Sequence, residues 1–225
     1  MKALILTATA SPHVKAGIEI YNSQFCRIFP GSQIIGAEAA GDAPFGWVKP
    51  IKEPMRALAM CRLANGMAGK IDADVIITQG MYGWALDRKK LEIPVINISH
   101  GTYAGLAADA IPKTSLEHYR TGIIYSHFEK KGMQNADIVV SNSMFTHDLD
   151  RINYGVESEV IYNAIDTAVF RPVAKKAARK KLGLDSGKKQ IGLFVGRQEH
   201  QKGFDVLERI QPVFGIERHG HRLAR

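Results

Sequence analysis

Short apolar runs alternate along this chain with longer segments of helical periodicity. The apolar runs end in small polar residues or glycine, as buried parallel strands do, and they occupy 2–8, 32–37, 73–80, 93–101, 137–143 and 157–166. The helical segments between them are 18–29, 54–70, 115–136 and 144–152. Strands that alternate with helices predict an α/β fold, with a Rossmann-like parallel sheet covered by helices on both faces.

The pattern changes near Ala164. The segment "NAIDTAVFRP" has no regular periodicity, and the basic run "KKAARKK" follows it. A new apolar run, "KQIGLFVG", then leads through a polar loop into a short helical segment. One strand, one loop and one helix are too small to enclose a core. The sequence predicts a Rossmann-like domain at 1–172, a linker at 173–188 and a truncated second-domain stub at 189–225.

Composition indicates an ordinary globular protein. The chain has 225 residues, of which 45% are hydrophobic. No segment approaches the roughly 20 apolar residues that span a bilayer. The start, "MKALILTATA", resembles a short signal peptide, but its apolar part is also explained by a buried first strand.

The chain is basic, with a net charge of +8 and a pI near 9.5. This balance favours an anionic partner, although the dense run at 175–181 is also typical of a solvated helix face. Cys26 and Cys61 lie far apart in helical segments, which predicts reduced, packed thiols and a cytoplasmic protein.

In open α/β sheets, ligands bind beyond the carboxyl ends of the strands. The residues that follow the predicted strands are Thr7, Thr9, Lys15, Ala16 and Gly17, then His100, Gly101 and Thr102, then Ser141 and Asn142, and finally Gly196, Arg197 and Lys202. Gly17 can serve simply as a helix-start glycine, and His100 can be structural or functional. Arg197 and Lys202 flank a helix N-terminus, where two cations can bind a diphosphate.

Several classes of site are absent from the sequence. It has no GxxxxGK[ST], no GxGxxG after the first strand, no GxSxG and no zinc-binding pattern. The sequence also lacks a basic stripe with interleaved aromatic residues, which is the pattern that would predict nucleic-acid binding.

Five segments together resemble the GT-B retaining glycosyltransferases of family 4. They are "KAGIEIYNSQF", "VINISHG", "EKKGMQNADIVVSNS", "EVIYNAIDTAVFRP" and "IGLFVGRQEHQKGFDVL", in the order that the family has them. The last two are specific together, since they resemble the interdomain signature and the opening of the second domain.

The resemblance implies transfer of a sugar from a nucleotide sugar to a lipid, glycan or small-molecule acceptor. It implies retention of configuration, no metal and no cofactor other than the donor substrate. It places Arg197 and Lys202 at the donor diphosphate, Ala16 and Gly17 near the donor phosphates, and His100 near the transferred sugar. Ala16 stands where the family often has a first glycine, so close backbone approach there is less favoured.

The family's E-x7-E pair has no counterpart, because no Glu is followed by another eight positions later. The sequence therefore predicts an incomplete enzyme, in which the resemblance makes 1–172 the acceptor-side domain and 189–225 the truncated start of the donor-binding domain. It leaves open a noncatalytic acceptor-binding subunit of a split transferase, which would need a partner chain, and a GT-B sugar epimerase. The basic balance also fits peripheral contact with a membrane surface and a lipid-linked acceptor.

Overall fold

We describe a computed structural model of the chain at residues 1–10, 17–41, 48–184, 193–196, 198 and 202–210. The chain divides into two compact units, Met1–Asn163 and Ala164–Arg225. The boundary that the sequence predicts at 172–188 stays a prediction.

The first unit is built on a parallel sheet of six strands in the order β2-β1-β3-β4-β5-β6. The strands are β1 (Ala3–Thr7), β2 (Gln33–Gly36), β3 (Val75–Gln79), β4 (Val95–Ser99), β5 (Ile138–Ser141) and β6 (Glu159–Val160). All six predicted strands are confirmed, and the α/β fold class with them. The sixth strand is shorter than its apolar run, because only two of its residues pair with β5.

Seven α-helices of the first unit connect and cover the strands within its described residues. They are α1 (Gly17–Ile28), α2 (Lys52–Gly66), α3 (Arg88–Leu91), α4 (Tyr103–Ala110), α5 (Leu116–Tyr119), α6 (Ser126–Gln134) and α7 (Met144–Tyr154). A π-helical turn, Arg120–Tyr125, joins α5 to α6, so the long helical segment predicted at 115–136 is helical but not uniform. Short 3₁₀ turns occur at Ala37–Ala40, Lys49–Ile51 and Gly80–Gly83.

The central strands are buried on both faces of the sheet. On one face, Leu4 and Leu6 of β1 pack in a cluster with Met60 and Cys61 of α2. On the other face, Ile5 and Ile77 form a cluster against which Tyr21 and Phe25 of α1 pack. Successive strand residues point to opposite faces, so an uninterrupted apolar run supplies both layers. Each fully buried aliphatic side chain contributes roughly 1.5–3 kcal/mol to the free energy of unfolding.

The second unit contains α8 (Lys175–Lys181) and α9 (Phe204–Ile210). The basic residues of α8 are mostly exposed, which agrees with a solvated helix face. The predicted strand "KQIGLFVG" is wrong for 193–195, where the backbone is in no regular element, and 189–192 lie outside the described residues. The described part of this unit has no second strand to pair with, and an unpaired strand leaves its backbone groups unsatisfied.

Candidate functional site

The carboxyl edge of the sheet brings the exits of β3, β4 and β5 side by side. Gln79 pairs with Ile98 across β3 and β4, and Ser99 pairs with Ser141 across β4 and β5. His100 follows β4 directly. The parallel order of the strands therefore places His100 between two neighbouring exits, at the ligand-binding edge of an open sheet.

His100 is held by a chain of polar side chains from three elements. Its Nε2 lies 2.6 Å from Oε1 of Gln79, the last residue of β3. The amide nitrogen of Gln79 donates to Oδ1 of Asn22 in α1, at 2.8 Å. The ring of Tyr21 meets the imidazole edge-on, with the centroids 5.5 Å apart. The imidazole is thus fixed in position from two sides.

Burial lowers the pKa of His100 to about 4. A neutral ring is favoured because desolvation penalises the charged form. A neutral imidazole is therefore favoured at pH 7, and such a ring can form hydrogen bonds but carries no charge.

The loop after β4 is anchored by a buried carboxyl group in α6. Oε2 of Glu129 accepts a hydrogen bond from the backbone N–H of Tyr103 at 2.7 Å and another from the Tyr154 hydroxyl at 2.5 Å. Burial raises the pKa of Glu129 to about 8. The Thr102 hydroxyl caps α4 by accepting from the N–H of Gly105 at 3.0 Å. These bonds fix the start of α4 and, with it, the loop that carries His100.

A second buried carboxyl group joins the exits of β4 and β5. Asp150 of α7 accepts hydrogen bonds from the hydroxyls of Ser99, at 2.9 Å, and Ser141, at 2.6 Å. Burial raises the pKa of Asp150. The serines that the sequence places at two strand ends therefore hold α7 against the sheet.

The loop after β1 is tied to the turn after β2. Oε1 of Glu38 accepts hydrogen bonds from the N–H of Ala10, at 2.6 Å, and from the Thr9 hydroxyl, at 3.2 Å. A Cβ on Gly36 would lie 2.4 Å from the nitrogen of Ala10, so a side chain there would displace the loop. The loop continues into 11–16, outside the described residues, and re-enters them at Gly17.

The five predicted site residues differ in where they lie. His100 lies at the carboxyl edge, as its position after a strand predicts. Gly17 is the exposed first residue of α1, and a Cβ there would have no neighbour within 4 Å. Lys202 is exposed in the second unit. Ala16 and Arg197 lie outside the described residues, so the predicted diphosphate contacts stay predictions.

Gln79, Asn22 and Glu129 were not predicted from the sequence. Gln79 is the exit residue of β3, and it belongs in the same list of strand ends that contains His100. Asn22 lies on the face of α1 that packs on the sheet, and it is 1% exposed. A polar residue at a position where the helical periodicity calls for an apolar one could have indicated it. Glu129 gave no signal, because a glutamate in an amphipathic helix normally faces solvent.

No cluster of three or more His, Cys, Asp or Glu side chains suited to a metal ion is found in the described ranges. Among the same residues, no helix is both long and apolar enough to cross a bilayer.

Residues 32–169 match the model of the family described as Glycosyltransferase Family 4. The chain belongs to this family. The match covers β2 to β6 and the exits that form the site, and it confirms the family that the sequence motifs resemble.

The curated relatives include two bacterial transferases. A D-inositol 3-phosphate glycosyltransferase from a Nocardioides strain is 30% identical over 134 residues, which are 56% of this chain and 27% of that protein. The lipopolysaccharide core biosynthesis mannosyltransferase LpsB of Rhizobium meliloti is 50% identical over 53 residues, 23% of this chain and 15% of that protein. The aligned parts thus span about a quarter or less of these family members.

One solved structure similar to this family member is a crystal structure of Glycyrrhiza uralensis UGT73P12 complexed with glycyrrhetinic acid 3-O-monoglucuronide. The two chains superpose with a TM-score of 0.40 at 12% identity, over 72% of this chain and 48% of the other.

Proposed function

We propose that this chain is the acceptor-side part of a glycosyltransferase, which moves a sugar from a nucleotide sugar to a hydroxyl of a lipid, glycan or small molecule. The observation that supports this most is the family match over 32–169, which includes the β4 exit with His100. The relatives favour a transferase over the noncatalytic subunit and over the epimerase.

In the proposed reaction, the bond between the anomeric carbon and the diphosphate oxygen breaks. A bond to the acceptor hydroxyl oxygen forms on the same face, so configuration is retained, and the hydroxyl proton leaves with the departing phosphate. The leaving group develops negative charge, which fixed cations stabilise without a metal ion. Arg197 and Lys202 take this role, with the backbone of Ala16 and Gly17 near the donor phosphates.

His100 takes a position near the transferred sugar in this proposal. Its ring is neutral at pH 7, since burial lowers its pKa to about 4. A neutral imidazole suits hydrogen bonding to a sugar hydroxyl, whereas the two cations Arg197 and Lys202 neutralise the charge of the diphosphate.

The test is to incubate the purified chain with UDP-, GDP- and ADP-linked sugars and measure release of the nucleoside diphosphate. The acceptors added to the assay are an inositol phosphate and a lipopolysaccharide core, which are chosen because the names of the relatives mention them. We expect acceptor-dependent release that His100→Ala slows about 100-fold, the cost of one well-placed hydrogen bond in a transition state. Absence of turnover with every donor, together with retained acceptor binding, would instead support the noncatalytic subunit.

The proposed contact of Lys202 with the donor diphosphate can be tested against a control lysine outside the donor site. Lys202→Ala is expected to raise the donor KM by about 10- to 100-fold, because a charge-assisted hydrogen bond contributes roughly 1.5–3 kcal/mol. Lys176→Ala removes a lysine of α8 that is also exposed and serves as the control. Equal effects of the two changes would contradict a specific diphosphate contact.

We also propose a cytoplasmic protein with peripheral membrane contact. The net charge of +8 supports attraction to anionic lipids, worth about 1 kcal/mol per basic residue near the surface. Flotation with vesicles of phosphatidylserine and phosphatidylcholine should carry the chain at low salt and release it at high salt. Flotation that is equal on pure phosphatidylcholine would refute the electrostatic contact.

A further inference from the structure

Asn22, Gln79 and His100 form a hydrogen-bonded chain that begins inside the first unit and ends at the ligand edge. Asn22 is 1% exposed and Gln79 is 3% exposed, so water does not compete for either amide. The two contacts are short, 2.8 Å from Asn22 to Gln79 and 2.6 Å from Gln79 to His100. Each member belongs to a different element, namely α1, β3 and the loop after β4.

The direction of this chain determines where the imidazole carries its hydrogen. An amide has one donor end and one acceptor end. The donor end of Gln79 is used on Oδ1 of Asn22, so the acceptor end, Oε1, faces His100. Since an oxygen there can only accept, the facing nitrogen of His100, Nε2, must donate.

A neutral imidazole carries one N–H, and the other ring nitrogen is then an acceptor. Burial lowers the pKa of His100 to about 4, so the ring has a single hydrogen at neutral pH. Nδ1 then carries the lone pair, and within the described part of the chain no hydrogen bond to it is found.

We propose that Gln79 and Asn22 are positioning residues, which fix His100 as the Nε2–H tautomer and present Nδ1 as an acceptor for a ligand hydroxyl. A bare lone pair attracts an O–H donor and repels an anionic oxygen. This end of the site therefore selects a hydroxyl-bearing ligand over a phosphate or carboxylate. The catalytic meaning rests on the proposed function, but the tautomer is a property of the protein without substrate.

Reversal of the chain requires both amides to turn together. Turning Gln79 alone would set its oxygen against Oδ1 of Asn22, with two acceptors face to face. The reversed chain would pair Nδ2 of Asn22, which is buried and has no partner among the described residues, and would leave Oδ1 unpaired instead. The orientation of Gln79 therefore follows the amide of Asn22, which does not touch His100.

The tautomer can be measured directly in the 225-residue chain. Uniform ¹⁵N labelling and long-range ¹H–¹⁵N correlation spectra distinguish Nε2–H, Nδ1–H and doubly protonated rings. The chain has 8 histidines, and the signals missing from His100→Gln identify His100. We expect the Nε2–H pattern, unchanged from pH 8 down to pH 5 because the pKa is about 4. An Nδ1–H pattern would overturn the proposal.

Three variants separate positioning from a general effect on folding. Gln79→Met removes the acceptor and should give averaged signals from both tautomers. Gln79→Glu restores an acceptor and should recover the Nε2–H pattern, with the pKa of His100 raised by about one unit or more by the new carboxylate. Asn22→Leu should let Gln79 turn and increase the Nδ1–H form.

Asn65→Leu is the matched control, because its amide bonds Ala85 and Asp87 of the same unit but does not touch this chain. Each variant is accepted only if its circular dichroism and thermal transition show a folded protein. If neither Gln79→Met nor Asn22→Leu changes the spectrum of His100, the proposal is wrong. The two proposals can fail separately. If the wild-type chain shows the Nε2–H spectrum but turns over no donor, the proposed function is refuted and the positioning role of Gln79 and Asn22 is retained.

Discussion

Two carboxyl groups are buried among the described residues, and both hold the ligand edge of the sheet. Asp150 bonds the serines that end β4 and β5, whereas Glu129 bonds the start of α4. A buried carboxyl group is costly when charged, even with hydrogen-bond donors around it. These two residues therefore stabilise the shape of the site while they make its stability depend on pH.

Glu129→Gln should make the free energy of unfolding less dependent on pH. Below pH 4.5, the ordinary value, the carboxyl group is protonated in both the folded and the unfolded chain. Between pH 4.5 and 8 the folded chain keeps a proton that the unfolded chain loses, so the wild type loses stability as pH rises. Glutamine does not ionise and avoids this loss.

Urea unfolding at pH 5 and pH 8 measures the effect. The free energy of unfolding of the variant minus that of the wild type should be about 2–4 kcal/mol larger at pH 8 than at pH 5. This follows from a loss of roughly 1.4 kcal/mol per pH unit in the wild type. Tyr154 and the N–H of Tyr103 still find an acceptor in the amide oxygen. A difference between the two proteins that is the same at both pH values would show that Glu129 does not titrate in this range.

At the scale of elements, α6 lies directly against the turn that follows β3. A Cβ on Gly132 would be 2.4 Å from the carbonyl oxygen of Gly80 and 3.1 Å from Cα of Met81. Asn97 of β4 also donates to the Gly80 carbonyl, at 2.7 Å. The turn that leads away from Gln79 is thus fixed by a helix on one side and a strand on the other.

Gly132→Ala should destabilise the first unit by roughly 1–3 kcal/mol, because the new methyl group meets backbone rather than a movable side chain. This loss opposes the gain of up to about 1 kcal/mol that alanine brings to a helix. Gly66→Ala in α2 is the control, since a Cβ there has no neighbour within 4 Å. Thermal unfolding should show a lower Tm for the first variant and an equal or higher Tm for the second; the reverse order would contradict the close packing.

At the scale of the whole molecule, the described core belongs to the first unit. Every buried hydrophobic side chain among the described residues lies between Ala3 and Tyr154. In the second unit, the described residues include exposed apolar side chains, such as Val169, Phe170 and Val195. Stability should therefore reside in residues 1–163.

A fragment of residues 1–163 should fold alone and unfold cooperatively. Because it retains the described core, its free energy of unfolding should lie within about 1 kcal/mol of that of the full chain, a change typical of mutations outside the core. Denaturant unfolding followed by circular dichroism measures both proteins. A broad, non-cooperative transition in the fragment would mean that the second unit contributes to the core.

The sequence by itself determined the six strands of the first unit, their parallel sheet and the family. Uninterrupted apolar runs such as "LIL" and "VII" can be buried only between two layers, and alternation with helices leaves few topologies. It also located His100, because a residue that directly follows a central strand must lie at the carboxyl edge. These inferences depend on local pattern, which one chain carries in full.

The tertiary structure alone decided what surrounds His100. Asn22, Gln79 and Glu129 are separated from it by 78, 21 and 29 positions, so no spacing in the sequence links them. Their contacts form because β3 pairs with β4 and because α1 and α6 pack nearby. Burial, which sets both the charge of the imidazole and the proton of Glu129, likewise arises only when separate elements come together.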